Sequence, residues 1–187
     1  MERTEIGKKS GEGFFGASIL NNTENILKSS KELNMVIKYL KSIKVKSISG
    51  WAGSMGVPML ILGNHNNIKF EHLVLMIPVL NFNTVFMHKN FKELLGKYNG
   101  YGFPIQIIKS ANDLISPIHY KLFVNSNNIQ ILYGKYDQLN PVSTIKKFAR
   151  DNKVINIIGY NLSHATILLS KKMYTDYDKF LKKIQTK

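Results

Sequence analysis

What most constrains this chain is an alternation between short apolar runs of strand length and longer stretches with helical spacing. Residues 72–79 read HLVLMIPV. A strand with one wet face would alternate apolar and polar residues, so this nearly continuous run predicts a parallel strand buried on both faces. Residues 45–51, 129–133 and 154–158 supply three more runs of strand length. Over residues 23–43, Ile26, Leu27, Leu33, Val36, Ile37, Leu40 and Ile43 recur at steps of three and four, with Lys, Glu and Asn between them. That spacing predicts an amphipathic helix, with Thr23 as its N-cap. Further helices are expected after the turn at residues 52–56 as far as Leu62, with Pro58 in the first turn, where its missing N–H costs nothing. Others are expected over residues 83–97 and 141–151, from Ala165 onward, and over residues 174–184, while residues 105–128 carry no readable period. Strands separated by helices require crossover connections. The expected fold class is therefore α/β, a mostly parallel sheet of about four strands with helices on both faces.

Composition removes several alternatives. A chain of 187 residues with 44% hydrophobic side chains can fill one core, and no repeat or Pro, Ser or Gly-rich linker divides it. A single domain over residues 1–187 is expected, with residues 1–22 as an irregular N-terminal segment. No run approaches the ~18 apolar residues of a spanning helix, so stable membrane insertion is not expected. Cysteine is absent, which excludes disulfides, thiolate metal sites and a cysteine nucleophile. Residues 1–10 carry charges of both signs and no apolar core, unlike a secretory signal. A cytoplasmic location is expected.

The net charge of +14 raises the question of a nucleic-acid partner, because a basic face gains affinity by displacing counterions from phosphate. Yet 24 of the 26 basic residues are Lys, with only Arg3 and Arg150 offering the planar, bidentate guanidinium. The lysines run along the whole chain beside 19 Asn. A solvated lysine surface accounts for them, and no nucleic-acid partner is expected.

The candidate chemistry begins at Ala52-Gly53-Ser54-Met55-Gly56, where a strand runs straight into a small-residue turn and then a helix. Such a turn can hold a serine in a strained conformation with its Oγ above the sheet, and small neighbours let helix and strand approach closely. It can equally be a plain strand-to-helix turn with Ser54 capping the helix. A nucleophilic serine needs a base, and the base needs an acid to orient it. Loops beyond the carboxyl ends of parallel strands open on one edge. Asp137 follows one strand in Gly134-Lys-Tyr-Asp-Gln-Leu-Asn-Pro141, and His164 follows another in Gly159-Tyr-Asn-Leu-Ser-His164. His65, His72, His88 and His119 lack a matching acid or nucleophile motif and are read as surface or core histidines. No H-E-x-x-H or similar spacing argues for a metal.

In these segments the chain resembles the α/β-hydrolase superfamily, which uses serine, acid and histidine in this order. The turn has Ala52 where the usual pattern has glycine. The resemblance covers nearly the whole chain, from about Thr23 to Lys187, and implies a truncated α/β-hydrolase-like three-layer sandwich. It implies a serine hydrolase acting on an ester or related acyl bond, with Ser54 as nucleophile, His164 as base, Asp137 as orienting acid and the Met55 N–H as an oxyanion donor. No cofactor is implied, the substrate would be a small acyl compound, and residues 80–128 would form a lid or pocket region.

Only about 45 residues precede the strand before Ser54. The resemblance therefore implies that the earlier strands and the loop supplying the second oxyanion donor are missing, with residues 3–13 matching the segment just after that loop. An exposed sheet edge is then expected, to be covered by self-association or by another chain. A catalytically weak remnant that binds a partner is the alternative function.

Overall fold

The structure is a computed structural model, and it describes residues 19–64, 70–88 and 102–185. Strands β1 (Gly50–Gly53), β2 (Leu73–Met76), β3 (Ile129–Gly134) and β4 (Asn156–Tyr160) form one sheet in the order β1-β2-β3-β4, all parallel. Between them and around them run helices α1 (Ile19–Ser42), α2 (Gly56–Asn64), α3 (Phe82–Phe86), α4 (Ile105–Ile115), α5 (Val142–Asp151) and α6 (Lys171–Gln185).

The period of two sorts the sheet onto two cores. Leu73, Leu75, Ile129, Ile131 and Tyr133 pack against Ile37 of α1, Val57, Leu60 and Ile61 of α2, and Ile145 and Phe148 of α5. Val74, Met76, Leu132 and Tyr160 pack on the opposite face against Ile167 and against Met173 and Phe180 of α6. Strands β2 and β3 are therefore buried at every position, which is why their sequences do not alternate. Each such side chain withdrawn from water contributes about 1.5–3 kcal/mol. At β1, by contrast, Trp51 is 54% exposed while its neighbours Gly50 and Ala52 are buried.

Several expected boundaries move. Helix α1 begins at Ile19, so Thr23 is not its N-cap; the Thr23 hydroxyl donates to the Ile19 carbonyl at 2.9 Å, one turn inside the helix. Ile19 and Asn22 are both fully buried, so packing carries the helix further back than the apolar spacing alone foretold, through residues 19–22 of the segment expected to be irregular. Its other end is set by Lys44, in the left-handed region at φ 60°, with the Val45 N–H donating back to the Leu40 carbonyl at 3.0 Å. Strand β1 starts at Gly50 rather than at residue 45, because residues 45–47 remain outside the sheet with exposed side chains.

The segment without a readable period contains α4 and two short 3₁₀ turns, Pro117–His119 and Ser126–Asn128. Here Ile108 and Ile115 join Val79, Phe82, Val85 and Phe86 and the α1 residues Ile19 and Ile26 in a third apolar cluster, with Met55 packed against it. Helix α3 starts where Asn81 Oδ1 accepts the N–H groups of Asn83 and Thr84. The expected helix over residues 83–97 is described only to residue 88, and the segments at residues 1–18 and around His65 lie outside the described residues.

Candidate active site

Ser54 sits between β1 and α2 with φ 47°, an uncommon value for a residue with a Cβ. Three backbone bonds hold it there. Its N–H donates to the Met76 carbonyl at 2.9 Å, and its own carbonyl accepts the N–H groups of Val57 at 3.2 Å and Val79 at 3.3 Å. Holding such a residue costs on the order of 1–3 kcal/mol, which the surrounding bonds must offset. Ala52, buried and facing the α1–α2–α5 side of the sheet, and Gly56 keep the start of α2 close to the strand.

Asp137 lies in the loop from β3 to α5 and is 6% exposed. Its Oδ1 accepts the N–H groups of Leu139 at 2.9 Å and Asn140 at 3.1 Å, and its Oδ2 lies 2.7 Å from His164 Nδ1. With both oxygens occupied, the carboxylate has one orientation. His164 lies in the loop after β4, where Ser163 and the Thr166 hydroxyl close the turn. Its Nε2 is 2.8 Å from Ser54 Oγ. A carboxylate can only accept, so Nδ1 carries the proton, which leaves Nε2 free to accept from the serine hydroxyl.

The acid and histidine loops reach this proximity because residue 134 is glycine. A Cβ there would stand 2.4 Å from the Leu162 carbonyl oxygen. Across the same junction the Lys135 N–H donates to Tyr160 O at 2.7 Å and the Tyr136 N–H to Leu162 O at 3.1 Å. Beneath it, the buried Tyr160 hydroxyl donates to Asp176 Oδ2 at 2.9 Å. Burial, and secondarily the Asp176 carboxylate, push the Tyr160 phenol well above its ordinary pKa.

Met55 follows Ser54 immediately before α2, and its side chain leans on the third apolar cluster. The other described histidines are placed elsewhere. His119 is a surface histidine whose Nε2 lies 3.1 Å from Asp113 Oδ1, because α4 and the 3₁₀ turn after it bring residues six apart together. That carboxylate oxygen also accepts from Asn83 Nδ2 at 2.7 Å. His72 Nδ1 is 3.0 Å from Ser49 Oγ, and His88 closes the turn after α3 through its N–H to Val85 O. Among the described residues no group of three or more His, Asp or Glu could hold a metal ion, and no helix is long and apolar enough to cross a membrane.

Motif reading passed over two residues around this site. Gly134 is legible only as a turn glycine, and Asn140 only as a residue before proline; their contacts depend on loops far apart in sequence.

No family model and no curated protein matches the chain. Solved structures do. Acetyl xylan esterase 1 from Thermoanaerobacterium sp. JW/SL YS485 superposes with a TM-score of 0.63 at 12% identity, covering 96% of this chain and 61% of that one. Thermogutta terrifontis esterase 2 gives 0.57 at 16% identity, covering 87% and 65%. Pyrococcus furiosus esterase Pf2001 gives 0.54 at 19% identity, covering 82% and 60%. The chain thus has the α/β-hydrolase fold and spans less than two thirds of the length of each of these esterases.

Proposed function

We propose that this chain is a serine hydrolase that cleaves an ester or related acyl bond of a small molecule. The observation that carries the reading is the unbroken chain of contacts from Ser54 Oγ through His164 to Asp137, at 2.8 and 2.7 Å. Ser54 Oγ attacks the acyl carbon while its proton passes to His164 Nε2. The tetrahedral oxyanion is met by the Met55 N–H. Collapse breaks the acyl–oxygen bond, His164 returns its proton to the leaving alkoxide, and water repeats the sequence to release the acid and restore Ser54. Asp137 stays ionised, holds the imidazole in one tautomer and stabilises its protonated form. No cofactor takes part. In this reading the acyl group would lie against the apolar cluster on which Met55 packs, with Phe82, Val85, Phe86, Ile108 and Ile115 as the residues nearest that role.

Removing one oxyanion donor from such a site costs about 10²–10³ in rate. Activated esters, whose good leaving groups demand less of the oxyanion donors, are therefore the substrates on which this reading is first tested. The Thermogutta esterase has been solved phosphonylated by sarin and with propionate bound, which supports an organophosphorus probe and a short acyl group as test ligands. The test is labelling by a fluorophosphonate together with hydrolysis of p-nitrophenyl acetate. Equal rates for wild type and Ser54→Ala, with neither labelled, would remove the reading.

A second reading, a partner-binding subunit, draws on the exposed Trp51 and on β1, which pairs only with β2 among the described residues. Self-association would cover this edge. Light scattering that returns a monomer with Trp51 still accessible to quenchers argues against that cover.

A further inference from the structure

The three loops that carry Ser54, Asp137 and His164 are joined in a ring, and one side chain closes it. Residues 76–80, just beyond β2, bracket the Ser54 backbone: Met76 accepts its N–H and Val79 donates to its carbonyl. Between those two, Ile77 is fully buried at φ 43°. A β-branched residue in the left-handed region is a genuine outlier and persists only where its surroundings over-determine it. The Ile77 N–H donates to Leu132 O at 2.7 Å, fixing the segment to β3. Its far end is fixed by Asn140, whose Oδ1 accepts the Leu80 N–H at 3.3 Å. The Asn140 backbone N–H donates to Asp137 Oδ1, and Asp137 Oδ2 holds His164, which returns to Ser54.

We infer that Asn140 is a positioning residue: its side chain ties the segment bracketing Ser54 to the loop bearing Asp137, and so sets the Ser54 to His164 distance. This deepens the proposed hydrolase function and rests on it. The amide is an odd choice for stability. Asn140 is 1% exposed, and its Nδ2 finds no hydrogen-bond partner among the described residues. A buried polar group carrying an unmet donor is a net burden unless its other half is needed, and that other half is the oxygen on Leu80.

The experiment compares Asn140→Ala, which removes the acceptor, with Asn140→Asp, which keeps it. Fluorophosphonate labelling of Ser54 is followed well below each variant's melting temperature, alongside kcat and KM for p-nitrophenyl acetate and the NMR signal of the His164 Nδ1 proton. Asn140→Ala should slow labelling roughly 10- to 100-fold, the scale of an ångström-sized misplacement, through kcat rather than KM. It should also shift or broaden the Nδ1 proton signal. Asn140→Asp should retain labelling within a few-fold, with its pH profile displaced upward, because an added carboxylate beside Asp137 favours protonated His164. Wild-type labelling rate and an unchanged proton signal in Asn140→Ala, even with a lowered melting temperature, would make Asn140 merely structural and overturn the inference while leaving the hydrolase reading intact. If the wild type itself is not labelled, the hydrolase reading fails. The proton signal then decides alone: altered by Asn140→Ala and restored by Asn140→Asp it upholds Asn140 as the tie, and unaltered it overturns it. Should Asn140→Ala not fold, Asn140→Ser, too short to reach Leu80, takes its place with the same outcomes.

Discussion

Two histidine–aspartate contacts of nearly equal length stand in this molecule, and their surroundings make them different objects. His164 and Asp137 meet at 2.7 Å with side chains 21% and 2% exposed, and the second imidazole nitrogen faces a serine. His119 and Asp113 meet at 3.1 Å with side chains 52% and 49% exposed, and the carboxylate divides its attention with Asn83. Water screens the second pair, which adds little to stability. In the first, two backbone N–H groups and a glycine junction fix the acid independently of the histidine. Distance alone does not separate the two pairs; the freedom of the carboxylate to turn does.

The largest test of that difference is Ser54→Ala. It should abolish fluorophosphonate labelling and ester hydrolysis together while leaving the circular dichroism spectrum unchanged, since one small residue replaces another in the same backbone conformation. Next, Asp137→Asn should lower kcat by about 10⁴, because the amide presents the histidine with the wrong hydrogen-bonding partner. Asp113→Asn should leave kcat untouched. Equal losses in the two variants would erase the distinction drawn here.

Gly134→Ala probes the junction that the His119 pair lacks. Its Cβ would meet a backbone oxygen at 2.4 Å, which cannot swing away like a side chain. Overpacking of this kind costs about 1–3 kcal/mol, read as a lower urea midpoint, and labelling should slow as the acid and histidine loops part. Tyr160→Phe sharpens the same point through pH. In the unfolded chain this phenol titrates near 10, whereas burial beside Asp176 keeps it protonated in the folded one. Above pH ~10 the unfolded state therefore holds fewer protons than the native state, and stability falls as pH rises. The variant should show a shallower alkaline loss in thermal melts across that range. The smallest effect belongs to His119→Ala, within about 1 kcal/mol of wild type by urea denaturation and smaller still in high salt.

Much of this was legible from the chain. The apolar run without alternation at residues 72–79 determined a strand wet on neither face, and strands separated by helices a parallel sheet under helices on both sides. Ser54, Asp137 and His164 each follow a strand directly, and parallel strands deliver their following loops to one edge; the order of residues therefore foretold that these three side chains meet, as they do at 2.8 and 2.7 Å. What sequence could not determine was any contact whose two partners lie in different loops. The start of α1 at Ile19, the acid beside His119, the glycine that admits the Leu162 carbonyl and the Asn140 side chain on Leu80 depend on packing at separations of up to 60 residues. Local patterns record which way a side chain points along its own helix or strand, because that periodicity is set by backbone geometry within a few residues. The bond from Asn140 to Leu80 exists only once β2 and β3 lie side by side, so tertiary structure alone decided it.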